Sequence, residues 1–159
     1  MDTSWQIVVA SSDLESRRAL MQILIRQGLD PIGASNLAEC REVLQRERVG
    51  LIFSDPHLAD GTYQDLLDVT RSCLSKARIV VTSKHANWDE YLEAMRLGAF
   101  DVIGSPCRPT DVEWMVVQAK RAEREAGRPS PVRVEAPELA KAASASAGHG
   151  VRSGASHSK

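Results

Sequence analysis

Cysteine is scarce in this chain and badly placed for chemistry. The three thiols, Cys40, Cys73 and Cys107, are odd in number, stand more than thirty residues apart and form no CxxC or Cys/His cluster, which argues against a disulfide framework or a zinc site. They read instead as small apolar residues. No apolar run approaches the ~20 residues needed to cross a bilayer, so a membrane span is excluded. The start, Met1-Asp2-Thr3-Ser4-Trp5, lacks the basic opening of a secretory leader, and a cytoplasmic location is expected. There is neither a GxGxxG nor a GxxxxGK[ST] loop, hence no phosphate cradle for a nucleotide enzyme. Basic clusters are missing as well. The last part of the chain, from residue 126, has five Lys/Arg against two Glu, a charge of +3, which leaves −4 on the body. So dilute a positive charge does not argue for nucleic acid.

What is there is alternation. Apolar runs at 5–10, 30–34, 50–54, 78–82 and 100–103 are separated by five stretches with one-sided helical spacing, the pattern of repeated βα units closing a parallel sheet. The runs are mostly continuous, as in strands covered on both faces. Helix ends are marked by Gly28, Asn36, Gly98 and Pro109, and Ser12 with Glu15 matches a capping box. The expectation is a single α/β domain over 1–126, followed by a flexible Ala/Ser/Gly-rich basic tail over 127–159.

Open parallel sheets gather ligands at the carboxyl ends of their strands. Those ends deliver Ser11 and Ser12, Asp55, Thr82 and Ser83, and Ser105-Pro106: one carboxylate among hydroxyls. At the centre lies Leu51-Ile52-Phe53-Ser54-Asp55-Pro56-His57-Leu58-Ala59-Asp60-Gly61, followed by Ile79-Val80-Val81-Thr82 and by Gly98-Ala99-Phe100-Asp101-Val102-Ile103-Gly104-Ser105-Pro106. These segments, in this order, resemble the receiver domains of two-component response regulators over about residues 5–125. The resemblance implies a doubly wound, flavodoxin-like sheet of order 2-1-3-4-5 with five helices. It places Asp55 on the phosphoacceptor and Thr82 on the switch hydroxyl.

The departures bear on function. Where the family holds Mg²⁺ with two adjacent acidic residues, this chain has Ser11 and Ser12, and a neutral hydroxyl is a poor ligand for that cation. Ser105 stands at the position of the family's lysine, Val102 at its aromatic switch residue, and Ala59 at a position that commonly holds proline. The cofactor expectation is therefore none, or weak Mg²⁺ at Asp55 and His57.

The functional expectation is a non-enzymatic, stand-alone receiver-like protein of phosphorelay signalling. It would act through protein contact, with weak or no Mg²⁺-dependent phosphorylation. The alternative is a working phosphoacceptor charged on Asp55 by a histidine kinase. The expected partner is a histidine kinase, a downstream effector, or a second copy meeting residues 88–124. Trp114, off the main stripe of its helix, would mark an interface if exposed.

Overall fold

The computed structural model describes residues 5–127. Strands β1 (Gln6–Ala10), β2 (Ile32–Ala34), β3 (Val49–Ser54), β6 (Arg78–Ser83) and β7 (Asp101–Gly104) form one parallel sheet in the order β2-β1-β3-β6-β7. This is the parallel sheet read from the alternation, in the doubly wound order that the resemblance implied. A separate antiparallel hairpin, β4 (His57–Leu58) and β5 (Gly61–Thr62), follows β3 and was not expected. Helices α1 (Leu14–Arg26), α2 (Leu37–Arg46), α3 (Tyr63–Ser72), α4 (Trp88–Leu97) and α5 (Pro109–Ala126) connect the strands. The tail expected from 127 lies, beyond Gly127, outside the described residues.

Successive strand residues point to opposite faces, so the central strands β1, β3 and β6 serve two cores. Ile7, Val9, Leu51, Phe53 and Val80 pack against Leu20 and Leu24 of α1 and Val112, Met115, Val116 and Ala119 of α5. Val8, Ile52, Ile79 and Val81 pack against Cys40, Val43, Leu66, Val69 and Ala94 from α2, α3 and α4. Every residue of β3 is buried, which accounts for its unbroken apolar run. Full burial of one such side chain is worth roughly 1.5–3 kcal/mol, so the sheet ends rest on a firm base.

Pairing begins at Ile32, one residue after Pro31, which has no N–H to give to a ladder. Trp5 stays outside β1, with its indole against Gly50; a Cβ there would meet the ring at 2.1 Å. Gly98 caps α4 at φ 113°, a backbone conformation glycine adopts without strain.

The capping box assigned to Ser12 and Glu15 is corrected. Asp13 is the N-cap of α1, its carboxylate accepting from Ser16 N at 3.0 Å and Ser16 Oγ at 2.6 Å. Asn36 caps α2 as expected, and Asn87 caps α4 in the same way. Thr62 and Asp65 form the capping box that opens α3.

Candidate phosphoacceptor cleft

Strand order reverses between β1 and β3, so the loops that leave these neighbours diverge and open a crevice. Asp55 stands there, half-buried, its N–H donating to Ala10 O at 3.0 Å. Ser11 is buried beside it, with its own N–H bonded to Ala34 O at 3.0 Å. The two side chains meet because the ladder places them there. Ser11 Oγ donates to Asp55 Oδ2 at 2.6 Å, and from the other side Thr82 Oγ1 donates to Oδ1 at 3.0 Å. Both carboxylate oxygens thus accept a hydroxyl.

Ser12 does something else. Although adjacent in sequence, it donates to Ser35 O at 2.6 Å and accepts from Ala59 N at 2.8 Å. It thereby joins the loop after β1 to the loop after β2 and to the turn of the β4–β5 hairpin. Ala59 at this position has a consequence, since proline has no N–H and would remove the second bond. Next to it, Asp60 accepts from Leu37 N at 2.7 Å and Ala38 N at 3.2 Å, which fastens the hairpin to the N-terminus of α2. These backbone bonds, led by the one from Leu37, hold the Asp60 carboxyl below its ordinary value.

A cleft of about 350 Å³ brings Asp55, Ser11, Thr82 and Ser105 together. Ser105 is half-buried, held through its N–H to Ser83 O at 3.0 Å and joined to Pro106 by a cis peptide. Asp13 and Glu15 also border the cleft, but the Asp13 carboxylate is engaged by Ser16, and these hydrogen bonds hold its titration below the usual carboxylate value. One basic side chain lines it, Lys84, which sequence reasoning passed over. Its position two residues beyond Thr82, at the end of a strand, was the available signal. His57, expected as a weak co-ligand of Asp55, is exposed on the hairpin and lines a different cavity. Val102 is half-buried and packs at the edge of the α2–α4 core.

The cysteines divide. Cys40 is buried, whereas Cys73 and Cys107 are only partly so. Burial pushes the Cys40 thiol up to about 12. Burial first, and then the charges of Asp55 and Asp111, push Cys107 up to about 11. Neither is a thiolate near neutral pH, so Cys107 brings no nucleophile to the cleft it borders.

Away from the cleft, α4 and α5 expose apolar surface. Trp88 is 69% exposed and stacks on half-buried Tyr91 with ring centroids 5.5 Å apart, while Trp114 on α5 is 55% exposed. The exposed indole at 114 is thus present. Among the described residues no helix is long and apolar enough to cross a membrane.

No protein-family model matches the chain. It is 28% identical over 116 residues to the response regulator protein PilR of Pseudomonas aeruginosa, a match covering 72% of this chain and 26% of PilR. The chain thus spans about a quarter of the length of that relative. Among solved structures it superposes on the signal receiver domain of a LuxO repressor protein from Vibrio parahaemolyticus with a TM-score of 0.71 at 18% identity, covering 78% of this chain and 96% of that one. A CheY-like receiver domain protein from Methanospirillum hungatei gives 0.67 at 20% identity, covering 77% and 99%. The chain has the fold of response-regulator receiver domains, and in sequence it is similar to response regulators.

Proposed function

We propose that this chain is a signalling module of the two-component type that works mainly through protein contact, with Asp55 phosphorylated slowly or not at all. The observation that carries this reading is the state of Asp55: both its oxygens accept hydroxyls, from Ser11 and Thr82. The side chains flanking it after β1 are neutral. A hard divalent cation favours carboxylates and water, and here Asp55 is the one carboxylate at the two aligned strand ends. Ser12 is already engaged by Ser35 and Ala59, and Asp13 Oδ2 by Ser16, so a Mg²⁺ ion at Asp55 would draw on the Asp55 carboxylate and water, with Glu15 as the other acidic group that borders the cleft. His57 adds nothing, because imidazole suits softer metals and lines the other cavity. Without the cation the incoming phosphoryl group loses its main charge neutraliser.

The contact surface in this reading is the stretch 88–124, where the Trp88–Tyr91 stack and Trp114 stand exposed. Aromatic side chains with large exposed area are what interface cores are enriched in. The partner is a histidine kinase, a downstream effector or a second copy of the chain.

A second reading, a working phosphoacceptor, draws support from the retained Asp55–Thr82 pair and from Lys84 in the same cleft. In that case Asp55 attacks the phosphorus of the donor, and the donor's bond to phosphorus breaks as the leaving group departs. Incubation with acetyl phosphate, with and without Mg²⁺, read by intact mass beside Asp55→Asn, separates the two. The contact reading expects no adduct, or a slow one indifferent to Mg²⁺. A fast, Mg²⁺-dependent adduct that disappears in Asp55→Asn sinks it.

A further inference from the structure

A second cavity, of about 190 Å³, opens on the opposite side of the sheet from the Asp55 cleft, between the starts of α3 and α4. Its floor is apolar, made by Val81, Ala94 and Val102. The short side chain of Val102 leaves the space unfilled at the edge strand. Two carboxylates, Glu90 and Glu93, three residues apart on α4 and therefore on one face, stand at its rim. No Lys or Arg lines it. Glu90 Oε1 accepts a long bond of 3.3 Å from Ser83 Oγ, which ties the rim to the end of β6.

The dimensions and the charge define a ligand class. An apolar cavity of about 150 Å³ is known to admit benzene, so the space here accommodates one flat ring or the end of one long side chain. The floor favours an apolar body, and the paired carboxylates favour a cation that donates in a fork. We propose that this cavity binds an organic cation, an amidinium or guanidinium on a short apolar stem, independently of any phosphorylation at Asp55. The group arrives either on a free small molecule or as an arginine side chain of another protein.

The test uses the full chain with ¹³C-labelled Val and Ala methyls, titrated with benzamidinium, with neutral benzamide and with N-acetyl-arginine amide. Saturable shifts of the Val81, Ala94 and Val102 methyls are expected for at least one of the two cations. Tighter binding of benzamidinium identifies a small-molecule site, and tighter binding of the arginine derivative a protein side chain. Val102→Phe, which fills the space, abolishes the shifts at Val81 and Ala94. Glu93→Gln, at an exposed position where folding is safe, weakens binding about twofold to fivefold. Asp55→Asn leaves it unchanged. Absence of saturable shifts with both cations, equal binding of benzamide, or unaltered binding in both Val102→Phe and Glu93→Gln overturns the proposal.

Discussion

On the β6 flank of Asp55 a threonine hydroxyl reaches Oδ1 at 3.0 Å, and two residues beyond it Lys84 lines the same cleft. On the β1 flank a serine reaches Oδ2 at 2.6 Å, and its neighbour turns away to bind Ser35 and Ala59. The β6 flank keeps what the resemblance implies, and the β1 flank replaces it. The replacement is not an empty place. Where a metal-binding pair would hold charge, Ser11 satisfies the carboxylate and Ser12 ties three loops together by neutral hydrogen bonds. Two departures that look unrelated in sequence, Ser12 and Ala59, become one arrangement, because the hydroxyl needs the N–H that proline lacks.

The strongest way to break this comparison is to convert the β1 flank back. Ser11→Asp combined with Ser105→Lys restores one metal ligand and one cation beside Asp55, while leaving Ser12 to hold the loops. Mg²⁺-dependent phosphorylation by acetyl phosphate should rise on the order of a hundredfold, in line with what one well-placed charge contributes to such a transition state. Intact mass over time measures it. If the double variant gains nothing, the serines are not what limits the chemistry.

A smaller effect sharpens the contrast between the flanks. Ser11→Ala removes the short bond to a half-buried carboxylate and should lower stability by about 1.5–2 kcal/mol, against about 1 kcal/mol for Thr82→Val, whose bond is longer. Urea unfolding of the two variants decides it. Equal losses, or a larger one at Thr82, would remove the claim that the β1 flank now bears more of the load. Below these comes Ala59→Pro, expected to lose about 1 kcal/mol through the missing N–H. In a Ser12→Ala background the same change should lose less, since the bond is already gone; a double-mutant cycle with no coupling energy would show that the pair is incidental.

Much of this was legible in the sequence. The five strands and five helices follow from continuous apolar runs alternating with one-sided stripes, and Asp55 was legible because it follows the third run as the one carboxylate among strand-end hydroxyls, within a segment that resembles the receiver phosphoacceptor. The β4–β5 hairpin was not, since two residues per strand carry no period to detect. Ser12 was misread as a cap because Ser-x-x-Glu is satisfied locally, whereas its actual partners are 23 and 47 residues away. Asp13, one residue on, competes for the same role with a carboxylate that accepts more strongly than a hydroxyl. The Val102 cavity escaped for a similar reason, being a property of what converges in space, whereas Lys84, two residues beyond Thr82, had a signal that was passed over.

Asp60 offers the finest probe of the rebuilt flank. Its carboxylate accepts two N–H groups at the start of α2, where the helix dipole also favours negative charge. Its folded titration lies below the ordinary value of 3.8, so the bond stabilises the protein fully above that pH and is lost as pH falls through the lower, folded value. Asp60→Asn keeps the shape but removes the charge and one of the two acceptor oxygens. It should lower the melting temperature slightly at neutral pH and flatten the acid side of the stability curve below about pH 4. Asp13 and Glu39, whose titrations are also held down by hydrogen bonds, keep the remaining slope. A variant whose acid limb superposes on the parent would mean that the hairpin is held to α2 by the turn geometry, with the charge contributing nothing.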